Sequence, residues 1–215
     1  MSTANYVQPV SSARAPALFG QVMLLVALTV AAATLGVFIA RNEGGALWFV
    51  AWLAALACLI ALNVANARGN HGLALLLLLA FGLLIGASVS STVNYYSRTD
   101  PTAVRQAFGA TALFVGGLGA GGYAVRRDLS FLYRLLFWLL LGLIAASVVL
   151  IFVHMQAAYV AWSIAGLGIF GLYTVVDFNR LRHAGGNEAI PLAAGIFLDI
   201  LNVFLLFLRL FGASR

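Results

Sequence analysis

The 215-residue chain has no lysine, one cysteine and very little charge: twelve arginines and six acids, together 8% of the residues. Soluble domains carry about 25% charged residues, so a water-soluble fold could not cover its surface with so few. Disorder is excluded for the opposite reason, because 63% of the residues are hydrophobic and cannot all be left in water. Having only Cys58, the chain cannot form an intramolecular disulfide, and with no Cys cluster it has no thiolate metal site. Cys58 lies inside an apolar run, where its expected role is packing. The net charge of +6 is spread over arginines that punctuate apolar runs, with no continuous basic stripe to follow a phosphate backbone. Nucleic acid is therefore not an expected partner. Cationic loop ends facing anionic lipid account for the charge, and the lipid bilayer is the expected surrounding of the chain.

What the chain has in abundance is long apolar runs. A hydrocarbon core of about 30 Å needs about 20 helical residues to cross it. Seven runs meet that length: residues 17–40, 46–65, 72–96, 107–125, 135–153, 157–176 and 189–208. They occupy about two-thirds of the chain, which leaves loops and tails but no extramembrane domain. Barrel strands would be about 9–11 residues of alternating polarity, so the expectation is an all-α membrane protein with seven transmembrane helices. The first run is longer than the roughly 7–15 apolar residues of a signal peptide and is read as a retained helix behind a polar tail, residues 1–16. Gly116, Gly117, Gly119, Gly121 and Gly122 crowd the fourth run. Small residues let helices approach closely in lipid, and packing is their expected role.

Orientation follows from arginine. One side of a seven-span chain holds Arg14, Arg68, Arg126, Arg127, Arg134, Arg180 and Arg182; the other holds Arg41, Arg98, Arg105, Arg209 and Arg215. The richer side is expected in the cytoplasm, with the N-terminus, and the C-terminus outside.

Two acids are out of place. Asp199 sits about ten residues into the last run, and Asp177 closes the sixth. The connection between those runs, residues 179–187, is short, so the two carboxyls are expected to meet at similar depth near the cytoplasmic side. A charged acid within the membrane costs on the order of 2.5–3.5 kcal/mol on insertion scales, which makes such residues functional candidates. Two carboxyls in contact cannot both ionise cheaply; they share a proton and titrate as a unit. Their oxygens, when ionised, are hard ligands of the kind Ca²⁺ takes, so a transient calcium site at Asp177 and Asp199 is expected. The plain alternative is a protonated Asp199 bonded to Asn202 or a carbonyl, with Asp177 paired to Arg180 or Arg182. Gly195, Asp199 and Asn202 share one helical face, Tyr173 stands one turn before Asp177, and Asn63 and Asn66 close the second run. Together they suggest a polar seam. His71, His154 and His183 fall in three connections on both sides of the membrane, which argues against a three-histidine metal site. No cofactor is expected beyond calcium as a permeant ion.

The stretch Gly168-Ile-Phe-Gly-Leu-Tyr-Thr-Val-Val-Asp177-Phe-Asn-Arg-Leu-Arg-His, followed by Phe197-Leu-Asp199-Ile-Leu-Asn202 and Arg209-Leu-Phe-Gly, resembles the C-terminal signature of the Bax inhibitor-1 (transmembrane Bax inhibitor motif) family. Gln106-Ala-Phe-Gly-Ala-Thr111 and Gly122-Tyr-Ala-Val-Arg-Arg-Asp128-Leu-Ser-Phe-Leu132 resemble its fourth span and the exit from it. The likeness covers residues 17–212. It implies a central last helix between two three-helix layers, a pH-sensitive calcium leak, and a paired-aspartate sensor at Asp177 and Asp199. It also implies a latch arginine at the end of the second helix, where this chain has Asn66, with Arg68 two residues on. Arg68, long enough to reach back along its helix, is the expected substitute. A second reading implied by the resemblance is a modulator of a membrane-bound AAA protease, with the polar tail as the handle. A third is an intramembrane aspartyl protease, but the residues before Asp177 and Asp199 depart from the Tyr-Asp and Gly-x-Gly-Asp motifs of such enzymes. The expectation is therefore that the protein is not an enzyme.

Overall fold

The computed structural model describes residues 14–42, 47–150, 152 and 155–213. The tail proposed as a protease handle, His154 and Arg215 lie outside the described residues or, for residues 14–16, have no described side chain. Each apolar run forms one helix: α1 (Arg14–Ile39), α2 (Leu47–Ala67), α3 (His71–Thr99), α4 (Pro101–Ala124), α5 (Leu132–Leu150), α6 (Gln156–His183) and α7 (Ala189–Ala213). All seven are long and apolar enough to cross a membrane. No strand occurs among the described residues.

Local chemistry sets the joints. Asp100 separates α3 from α4 and caps the latter, its carboxylate accepting from the Ala103 N–H at 3.0 Å, while Pro101 opens α4 where no intrahelical donor is needed. Asn70 caps α3 in the same way through the Leu73 N–H, after a turn in which Gly69 takes the left-handed conformation at φ 75°.

α7 is the axis. It packs against α6, α4, α1, α3 and α2. Of its most apolar stretch 56% is buried by the protein, against 11% for α5. The core follows α7, with Phe197 edge-on to Phe81 of α3 at 5.8 Å between ring centres. In lipid there is no hydrophobic drive to bring two apolar helices together, so close backbone approach has to supply the attraction. That approach is tightest between α1 and α3, where a methyl on Gly36 or Gly86 would fall on the carbonyl of Leu83 or Ala33.

Two expectations need correction. Of the five glycines in the fourth run, only Gly119 and Gly122 are packing glycines, against Phe178 and the Val175 carbonyl of α6; Gly116, Gly117 and Gly121 face open space. The connection expected over residues 179–187 is shorter, because α6 runs on to His183. The polar residues that look like a loop find partners while still helical. The wholly buried Asn179 donates to the carbonyls of Val125 (2.8 Å), Arg127 (3.1 Å) and Gly122 (3.3 Å) and accepts from the Leu129 N–H. Arg182 donates to the Tyr123 carbonyl. Helix α6 thus continues past its apolar part by capping the end of α4.

Candidate functional site: an acid pair on a membrane-length cavity

Asp177 lies six residues inside the end of α6, and Asp199 lies ten residues into α7; their exposures are 7% and 4%. Asp177 leans onto α7 at Gly195, where an added methyl would lie 2.6 Å from its Oδ2. Any side chain there would push the carboxyl away, so the absence of one makes the notch. Gly195 is one turn before Asp199 on the same face. The other oxygen of Asp177, Oδ1, accepts a 2.5 Å hydrogen bond from the Tyr133 hydroxyl of α5. The Thr174 hydroxyl sits against the Asp199 carboxyl, while Asp199 Oδ2 is buried with no hydrogen-bond partner. A buried polar atom without a partner is rare and asks for an explanation.

Both acids line one cavity of about 940 Å³ between α3, α5, α6 and α7. Along α7 it extends from Pro191 to Arg209. At ~1.5 Å per residue that is about 27 Å, close to the ~30 Å of a hydrocarbon core. Arg180 marks one end, bonded through Nε (3.0 Å) and Nη2 (2.7 Å) to Glu188 Oε2 in the turn before α7. Arg209 marks the other, 5.2 Å above the ring of Trp162.

The expected seam is present in part. Tyr173 and Asn202 line the cavity; Tyr173 lies among the rings of Tyr133 and Phe170, and Asn202 donates to the Leu198 carbonyl of its own helix, not to Asp199. Asn63, Asn66 and Arg68 do not line it. Asn66 donates to the Asn187 carbonyl and its Oδ1 meets His71, so it ties α2 to the α6–α7 turn. Arg68 is exposed, and its guanidinium makes no hydrogen bond or ion pair with any described residue. It is not the latch in this conformation: it sits past the last helical residue of α2, and the ground nearest the turn is taken by Asn66. Nor does Arg182 reach the acids, being held by the α4 carbonyls. The basic residue on the acid side is Arg180, shared with Glu188.

Three contributors escaped the sequence reading. Tyr133 sits just after the basic exit of the fourth span and was not singled out, although it is the first side chain of α5 able to donate into the bundle. Glu188 carries the site's ion pair, and Asn179 joins α6 to the α4–α5 loop. In that loop Asp128 accepts from the Ser130 hydroxyl (2.6 Å) and N–H (2.8 Å), and these bonds hold its carboxyl below the usual range. No group of three or more metal-ligating side chains occurs among the described residues.

Seven apolar helices, a buried last helix and two buried acids beside a membrane-length cavity define a multi-pass membrane protein. The chain belongs to the Bax inhibitor-1 family: the family model described as "Inhibitor of apoptosis-promoting Bax1" matches residues 16–215. Among its relatives is the inner membrane protein YbhL of Escherichia coli (strain K12), 28% identical over 174 residues that cover 76% of this chain and 73% of the relative. A protein of Deinococcus radiodurans is 31% identical over 190 residues, 82% of this chain and 80% of its own.

Proposed function

We propose that the protein is a pH-sensitive calcium leak of the bacterial cytoplasmic (inner) membrane, controlled by Asp177 and Asp199. The observation that carries this reading is the joint placement of two buried carboxyls on one cavity nearly as long as the bilayer is thick. Two adjacent carboxyls hold one proton between them more readily than none. As pH falls, the pair takes up one shared proton and keeps a single charge, its hold on surrounding donors weakens, and the pathway opens; as pH rises, it closes. The charge left on the pair, with the unclaimed oxygen of Asp199, is the hard-oxygen site that a passing Ca²⁺ meets. The name of the Escherichia coli relative supports the inner membrane, and the arginine bias supports a cytoplasmic N-terminus. The missing protease motifs favour a conduit over an enzyme.

Calcium flux into proteoliposomes, followed against pH at equal protein density, tests the reading. Wild type should leak more as pH falls, Asp199→Asn should lose most of that dependence, and Arg68→Ala should behave as wild type. An Asp199→Asn variant with the wild-type pH profile would overturn the proposal.

A further inference from the structure

Helix α5 is attached unlike any other. Among the described residues its only extensive helix neighbour is α6, and only Leu136 and Leu143 are buried along it. Phe137, Trp138, Ile144, Val148 and Val149 are exposed on its surface. Apolar contact with α6 holds α5 little better than apolar contact with lipid would. What fixes it are three side-chain hydrogen bonds spaced along its length: Tyr133 to Asp177 at one end, Trp162 Nε1 to the Leu143 carbonyl (3.0 Å) in the middle, and the Tyr159 hydroxyl to the Leu150 carbonyl (2.7 Å) at the other end. Two of these end on carbonyls that do not titrate. The third ends on an acid of the pair.

We propose that Tyr133 is the positioning partner of Asp177 and that α5, which carries it, is the cavity wall that moves. This rests on the leak reading above and assigns its latch. A hydroxyl bonded to a carboxylate makes a charge-assisted hydrogen bond, roughly twice as strong as one to a neutral acceptor. With Asp177 ionised, the end of α5 is held against α6 and the cavity is narrow. Protonation of the pair halves that attachment, and α5 swings out about its two remaining, pH-insensitive bonds. The other ionisable groups around Asp177 are compatible with this. On α6 they are Tyr173 and Arg180, on α7 Asp199, and in the turn Glu188 acting through Arg180; Tyr95 and Tyr96 of α3 and Arg209 line the cavity farther along, and no titratable side chain of α1, α2 or α4 does. Arg180 is also an electrostatic neighbour of the Tyr133 phenol within hydrogen-bonding range of it, so its charge steadies both members of the bond. The latch therefore links α5 to α6, not α2 to α6.

Tyr133→Phe removes only the hydroxyl. In proteoliposomes at about pH 8 it should raise calcium leak at least about tenfold, the shift in a two-state equilibrium that loss of one bond to a charged group produces, and its pH profile should be nearly flat. A second measurement reads the wall itself. In a Cys58→Ser background, spin labels at Trp138, near the Tyr133 end of α5, and Leu113 on α4, both exposed, report the separation of α5 from the body of the protein. In wild type that separation should lengthen between about pH 8 and pH 5.5, and in Tyr133→Phe it should already be long at pH 8. If Tyr133→Phe keeps the wild-type leak profile and label separations while Asp199→Asn loses its pH dependence, the latch is wrong and the leak reading stands. If the wild type carries no calcium, the leak reading fails, and a pH-driven, Tyr133-dependent change in label separation still decides the latch; a separation that is the same in both proteins at both pH values overturns it.

Discussion

Helices α1 and α3 meet backbone to backbone, while α5 hangs from α6 by hydrogen bonds. The first contact is made of glycine and alanine: Gly36, Gly82 and Gly86 leave no room for a side chain. The second is made of Tyr133, Trp162 and Tyr159. In a bilayer both solve the same problem, the weakness of apolar attraction between helices, but with different consequences. Close packing has one good arrangement and resists displacement. A hydrogen bond can be lost and remade, and one that ends on an acid can be switched by a proton. The protein thus combines a rigid scaffold, α1–α3 with α7, and a suspended wall, α5.

The largest effect should come from breaking the scaffold. Gly86→Val places a methyl group on the Ala33 carbonyl and should cost about 3 kcal/mol or more, because the clash is with backbone. The matching change in the wall, Gly142→Val, meets nothing within 4 Å and should stay within about 0.5 kcal/mol. Thermal unfolding of both variants in detergent measures the difference, and equal losses would abolish the distinction between the regions. Asn179→Ala comes next. It strips donors from the part-buried carbonyls at the end of α4 and an acceptor from Leu129, at about 1–3 kcal/mol per group left unpaired. The same melting experiment should show a drop of several degrees, and faster proteolysis of the α4–α5 loop. The smallest effect belongs to Asp128. Its folded carboxyl titrates below the usual range, so it favours the ordered loop above that range, and the contribution is lost as pH falls through the lowered value. A carboxyl-carbon NMR titration should find it titrating low in wild type and shifted upward, toward the ordinary value, in Ser130→Ala, where only the backbone N–H bond remains.

Much of the fold was legible because the bilayer imposes it. A run of about 20 apolar residues has one stable form in lipid, and the seven runs became seven helices. The two aspartates were legible for the same reason, since an acid at membrane depth is conspicuous against apolar neighbours. The seam around them was legible only in part. Tyr173 and Asn202 share helices with the acids, so periodicity places them correctly. Asn66 and Arg68 belong to another helix, whose rotation and distance no periodicity fixes, and the structure gives Asn66 to Asn187 and leaves Arg68 exposed. The loop expected at residues 179–187 looked polar enough to be irregular, but those polar groups are paired within a continuing helix.

By itself the sequence determined the class of protein, the number of its membrane helices and the two acids at membrane depth, because hydrophobic length and the cost of burying charge are local quantities. The tertiary structure alone decided who stands opposite whom. That Asp177 rests in the notch of Gly195, bonds to Tyr133 and leaves Arg68 aside depends on the packing of α5, α6 and α7. Such packing is the joint outcome of contacts between segments far apart in the chain, and no single segment encodes it.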